Sequence, residues 1–326
     1  FQDTGLTTLG TDVTMTSGDN PIDLGDLAGA NTLRIVAGGG SVTLDGGDIG
    51  ALDIDSAVDV TFDEAFTTQG TVEVDTAITG VILVDGSINA GGALTLDTSD
   101  AGTGIDINGN VNSGDTLTIN ATGADVLIDT AAVSASGDGT IDIDAASEVI
   151  IAGTGTASVS SELGEIDITA PTIQLGDDGA TSSGHIQSDG GNVDINPGLT
   201  FTMEAGEAAD PTQVQSGGDL DVGTATTTVV TLAGDGLLAT DEVDIDATDT
   251  VNVGGAVTST TGIVTIDVTN VDADAATINI SANISGEDVT VTAEDTTDGD
   301  EQINVAADTE NLIGGTTINA NEGTVN

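Results

Sequence analysis

Along nearly the whole chain one short pattern recurs: an aliphatic residue, a polar one, an aliphatic one, then Asp, Asn or Thr. It reads Leu52-Asp53-Ile54-Asp55, Val72-Glu73-Val74-Asp75, Leu94-Thr95-Leu96-Asp97, Leu117-Thr118-Ile119-Asn120 and Ile141-Asp142-Ile143-Asp144. It continues through Ile166-Asp167-Ile168-Thr169, Val193-Asp194-Ile195-Asn196, Leu220-Asp221-Val222-Gly223 and Val243-Asp244-Ile245-Asp246. The last copies are Ile266-Asp267-Val268-Thr269 and Val289-Thr290-Val291-Thr292. A second series runs half a period out of step, from Val58-Asp59-Val60 and Ile82-Leu83-Val84 to Ile278-Asn279-Ile280 and Ile303-Asn304-Val305. Period-two alternation marks strands with one buried face. A strand of three or four residues cannot bury that face alone, so coils must stack on one another. The pattern predicts an all-β chain: a single parallel β-solenoid of about 13–14 coils of about 24 residues, a rod on the order of 60–70 Å long. Each coil holds at least two strands, joined by turns of Gly, Asp, Ser and Thr.

No shift of composition marks a boundary, so residues 1–326 read as one domain. The stretch 176–218 is less even. It holds Gly176-Asp177-Asp178-Gly179, Asn196-Pro197 and Asp210-Pro211, and reads as coils bearing protruding loops.

The repeat resembles that of filamentous-haemagglutinin-like adhesins, autotransporter passengers and other β-strand-repeat proteins of bacterial surfaces. The likeness covers most of the chain and rests on pattern and composition. It implies a right-handed β-helix in an extracellular or cell-surface protein.

Charge sharpens this picture. The chain carries 56 acidic residues against one Arg and no Lys, a net charge of −55. Nucleic acid is excluded as a partner, because phosphate contacts need cations. No apolar run is long enough for membrane insertion as a helix, and a polybasic lipid contact is excluded too. There is no Cys, hence no disulfide or thiolate site. The chain opens at Phe1 with no basic stretch followed by an apolar one, so no targeting segment is expected within it.

Stacking brings like charges together. Asp55, Asp75, Asp97, Asp144 and Asp246 occupy equivalent places, as do Asn120, Asn196, Thr169, Thr269 and Thr292. Two carboxylates about 5 Å apart repel by about 1 kcal/mol in water and more near a low-dielectric surface. Asn and Thr relieve this by forming ladders, and a divalent cation would relieve it further. Ca²⁺ is the natural candidate cofactor, since it accepts carboxylates in flexible geometry. The densest candidate metal site is Asp295, Asp298, Asp300 and Glu301, with Asp267, Asp272 and Asp274 nearby in sequence. It matches neither an EF-hand loop nor the nonapeptide calcium repeat. A solvated acidic surface is the plainer alternative.

Two single residues complete the inventory. Arg34 alternates outward and should pair with acidic neighbours; His185 sits in a polar stretch and reads as solvated. The expectation is a non-catalytic extracellular structural protein, a fibre or filament subunit that forms a head-to-tail homopolymer, with uniform negative charge along its sides resisting lateral clumping. The alternatives are an adhesin stalk binding a partner through 176–218, and a polysaccharide-active β-helix enzyme.

Overall fold

The computed structural model describes residues 2–3, 5–76, 80–99, 104–153, 155–177, 182–207, 210–270, 275–295, 301–306, 312–320 and 324–325. The chain is all-β, without a helix among the described residues. Parallel stacked coils form a right-handed-type β-solenoid, with successive turns about 23 residues apart. It divides into two compact units, Phe1–Ile150 with Ala157–Gly164, and Ile151–Thr156 with Glu165–Asn326.

In the first unit the described coils have three strands, each pairing with its equivalent one coil away, with one register shift between Ile35 and Val36. On the first face Val42–Leu44 pairs with Val60–Phe62, and Ile82–Val84 follows. On the second face Phe66–Thr68 pairs with Ile88–Ala90, then Val111–Ser113 and Ala132–Ala135. The third face carries the five- and six-residue strands, Ala51–Ser56, Val72–Thr76, Leu94–Thr98 and Leu117–Ala121. Inward positions form uninterrupted aliphatic rows such as Val72, Leu94, Leu117 and Ile141, none more than 1% exposed. Burying each such side chain contributes about 1.5–3 kcal/mol. Phe62 and Phe66 meet edge to face across the corner between first and second faces, their ring centroids 5.7 Å apart.

Corners are made by contact between coils as much as by local turn preference. A Cβ on Gly86 would fall on the Glu64 carbonyl oxygen, and one on Gly109 on the Gly86 carbonyl oxygen. Glycine is therefore required there by the close approach of one coil to the next. Between second and third faces a hydroxyl row caps the corner. Ser113 Oγ lies 2.9 Å from the Gly92 carbonyl and 3.0 Å from that of Thr116; Ser161 Oγ donates to Gly139 O at 2.8 Å.

The second unit repeats the three faces, with some corners replaced by bends within one strand. Ile166–Leu175 and Val193–Met203 each run from the third face onto the first, with a register shift between Ala170 and Thr172. Ser216 repeats the corner cap: its Oγ lies 2.7 Å from Asp219 O and 3.0 Å from Gly191 O. The described residues of 176–218 are thus largely regular coil. What departs from it is one antiparallel hairpin, Gly206–Glu207 with Asp210–Pro211.

Register corrects one sequence alignment. Val264, not Ile266, stacks on Val243, and Asp267 pairs with both Asp246 and Thr292. Asp267 therefore occupies the column that the pattern assigns to Thr269. A slip of two residues keeps every side chain on its face, so alternation alone cannot detect it.

Candidate functional site

The charge is not uniform around the coils, contrary to the sequence expectation. Outward positions of the third face carry most of the strand carboxylates. In the first unit one column runs Arg34, Asp53, Glu73, Thr95, Thr118, Asp142. In the second unit it runs Asp167, Asp194, Asp221, Asp244, Thr265, Thr290. The neighbouring column there includes Asp246 and Asp267. These carboxylates project from strands whose other side is the aliphatic core, so each loses part of its hydration to the sheet beneath.

Asp194, Asp221 and Asp244, stacked in the second unit, show the consequence. Burial pushes the Asp194 carboxyl up to about 7, aided by its hydrogen bond to Glu165 and by the charges of Asp221, Glu165 and Asp167. Burial likewise raises Asp244 to about 6, with Asp246, Asp221, Glu242 and Asp267 adding to the effect. Asp246 is raised by burial and then by Asp221, and Asp267 by burial and then by Asp246 and Glu294. Asp221 is raised by burial and by Asp219, an effect its hydrogen bond with Asp194 opposes. When protonated, the Asp194 carboxyl can donate its one O–H to the carboxylate of Glu165 or of Asp221. One oxygen each of Asp244 and Asp267 is buried without a hydrogen-bond partner. Asp246 and Asp267 line a cleft of about 370 Å³ with Thr224, Thr248 and Thr269. Chemically, this arrangement favours the protonated form of its stacked carboxyls.

The structure places the other sequence-derived metal candidates as follows. Glu301 is 1% exposed, and its carbonyl accepts the Thr324 N–H at 2.9 Å. Asp295 ends the strand Ile284–Asp295 and pairs with Asn270 in register. Asp272, Asp274, Asp298 and Asp300 lie outside the described residues. Among the described residues no group of three or more His, Cys, Asp or Glu side chains is placed to hold a metal ion.

Polar ladders form on the other faces. On the second face Asn112 Nδ2 donates to Asn89 Oδ1 at 2.7 Å, and Ser134 Oγ to Asn112 Oδ1 at 2.6 Å. On the first face Asn304 donates to Asn279 and Asn279 to Asn252, each at 2.9 Å. On the third face Asn196 Nδ2 donates to Asp167 Oδ1 at 2.9 Å.

The two single residues behave differently. Arg34 pairs outward as expected, with Nε 3.2 Å from Asp53 and Nη2 2.9 Å from Asp55. His185 is not the solvated loop residue of the sequence reading. It lies on the strand Ser183–Ser188, its side chain 28% exposed, with Nε2 3.3 Å from Asp210 Oδ1 and 3.1 Å from Pro211 O. Ser183 Oγ donates to the Asp210 carbonyl, and Thr156 Oγ1 to the Asp210 carboxylate at 2.5 Å. Together they pin the hairpin to the coil. Asp210 lies 25 positions beyond His185, so only the stacking of coils reveals the pair. In comparisons with protein-family models, curated proteins and solved structures, nothing matches this chain.

Proposed function

We propose that this chain is a non-catalytic structural solenoid of a cell-surface or extracellular fibre, and that copies stack head to tail. The observation that carries this is an edge strand of the ladder whose inward Val13 and Met15 are only half-buried. Val13–Thr16 pairs on one side, with Thr32–Val36. Beside it a cleft of about 190 Å³ is lined by Leu9, Val13, Met15, Leu24, Leu27 and Leu33. These residues belong to the same aliphatic rows that the next coils cover. Among the described residues Thr324–Val325 pairs with Gln302–Val305, and Val325 is 51% exposed. Strand edges of this kind accept further strands, and a head-to-tail contact that does not close gives a filament. The likeness of the repeat to bacterial surface β-helices supports the extracellular setting.

Electron microscopy of the purified chain tests the proposal. Filaments lengthening with concentration are expected. Monodisperse short particles at high concentration would overturn self-assembly.

The pinned hairpin favours a second reading, an adhesin stalk that binds a partner through 176–218. Its test is a loop-shortening variant confined to 207–210, since deleting the whole stretch would remove coil strands. Retained adhesion in that variant would count against it.

A further inference from the structure

Asp210–Pro211 is the one aspartyl–prolyl bond of the chain; the other prolines follow Asn20, Ala170 and Asn196. The bond lies in the hairpin that interrupts the coil, and side chains of other strands converge on it. Ser183 Oγ donates to the Asp210 carbonyl oxygen, which is the carbonyl of that bond. The Asp210 carboxylate accepts from Thr156 Oγ1 at 2.5 Å through Oδ2, and its Oδ1 lies 3.3 Å from His185 Nε2. The same Nε2 lies 3.1 Å from the Pro211 carbonyl oxygen, so it contacts residues on both sides of the bond. Both of these neighbours are acceptors, so Nε2 carries a hydrogen. One residue further on, Thr212 is 0% exposed and its hydroxyl has no hydrogen-bond partner. Such groups are rare in folded chains. A Cβ on Gly206, at φ +68°, would meet the hydroxyls of both Thr212 and Ser183, at 2.7 and 2.8 Å. Thr212 thus shares a glycine-lined space with the donor to the Asp210 carbonyl.

We propose that the chain cuts its own backbone between Asp210 and Pro211. Nucleophile and carbonyl belong to one residue, so ring closure needs no second molecule. The Asp210 carboxylate attacks its own carbonyl carbon; a C–O bond forms, and the resulting oxyanion accepts from Ser183 Oγ. The C–N bond to Pro211 then breaks, and its electron pair stays with nitrogen. That nitrogen bears two carbons besides the carbonyl and no hydrogen, which makes it more basic than an ordinary amide nitrogen. The imidazolium form of His185 gives it a proton from Nε2. Asp210 is left as a cyclic anhydride, which water opens to two carboxylates. Of the two protons released, one returns to the imidazole and one goes to the new amine. Among the described residues Asp210 is the charged group in contact with His185. The strands stacked on either side of it, Thr156–Ser161 and Gln213–Ser216, carry no titratable side chain, and Glu204 and Glu207 are the acidic residues leading into the hairpin. The reaction is a single turnover on the chain itself. It goes beyond the structural reading above and stands or falls apart from it.

The purified full chain, incubated and then run on a denaturing gel with mass analysis, tests this. Ser183–Ser188 pairs with Gln213–Ser216, so the pieces stay stacked until the chain is unfolded. Two fragments are expected, 1–210 and 211–326, the second starting at Pro211. They should form faster at about pH 5.5 than at about pH 8, as the imidazole gains its proton, and at a rate unchanged by dilution. Asp210→Ala should stay whole. His185→Gln keeps an amide donor toward the hairpin but no acid, so it should melt like the parent and cut at least about tenfold more slowly. Ser183→Ala should slow cutting by about as much. An intact parent chain would overturn the inference, as would parent-like cutting in His185→Gln. Equal cutting of the parent unfolded in urea at the same pH would also overturn it, leaving only the ordinary acid lability of the bond.

Discussion

The third faces of the two units are built from the same strands and the same alternation, yet they handle charge in different ways. In the first unit Arg34 stands beside Asp53 in the column, and Thr95 and Thr118 interrupt it. In the second, Asp167, Asp194, Asp221 and Asp244 follow one another without interruption. Among the first unit's third-face strands Asp97 is pushed up by burial and then by Asp75. In the second unit several carboxyls rise together, Asp194 as far as about 7. A repeat that is neutral in its backbone pairing is therefore not neutral in its electrostatics. Which residues stack decides how far burial and neighbouring charges raise each carboxyl.

If the difference is confined to the surface, the corners should not show it, and that can be tested with the largest of the expected effects. Ser113 in the first unit and Ser216 in the second cap equivalent corners. Replacing either by Ala removes a buried hydroxyl from two backbone carbonyls and should cost about 1–2 kcal/mol in both units alike. Denaturant midpoints of Ser113→Ala and Ser216→Ala measure this. A loss in only one unit would show that the corners, too, have diverged.

A smaller effect should separate the units. Asp194 holds its proton more tightly folded than unfolded, so the folded state binds the extra proton between about pH 4 and pH 7. Unfolding free energy therefore falls as pH rises through that window and levels off above it. Asp194→Asn keeps a donor toward Glu165 and Asp221 but removes the charge. It should stabilise the chain at pH 8 by up to about 1 kcal/mol, reduced by the partial solvation of these groups, and by nothing at pH 4. Asp97→Asn should gain less. Thermal melts across pH check both, and equal gains would remove the contrast between the faces.

Much of this architecture was legible in the chain. The two aliphatic series mark the third and first faces, and the columns Asp75–Asp97–Asn120–Asp144 stack as their spacing implies. The second face escaped the pattern for a physical reason. Its strands are three or four residues long with one large inward side chain, as in Ile88-Asn89-Ala90 and Val111-Asn112-Ser113. Small Ala and Ser at the corner leave too weak an alternation to read. The raised Asp194 carboxyl escaped for another reason. It depends on Glu165 and Asp221, which lie a coil away in opposite directions along the chain, and no local motif joins them. His185 and Asp210 repeat that lesson, because the hairpin that brings them together has no periodicity of its own.

The smallest expected effect concerns the one cation of the first unit's acidic face. Arg34 reaches Asp53 and Asp55 together, and its side chain is 44% exposed. Exposed pairs of this kind contribute about 0.2–1 kcal/mol, because water and salt screen them and two side chains must be held in place. Removing the guanidinium also leaves Asp53 beside Glu73 in the column with no compensating charge, which adds a repulsion of about 1 kcal/mol at most in a high-dielectric setting. Arg34→Gln should therefore destabilise the chain by less than about 1 kcal/mol at low salt. At 1 M salt, where the screening length falls to about 3 Å, the loss should vanish. A loss that persists at high salt would mean that the arginine acts by covering the strands beneath it with its aliphatic stem. The first unit's tolerance of its carboxylates would then have to come from Thr95 and Thr118 alone.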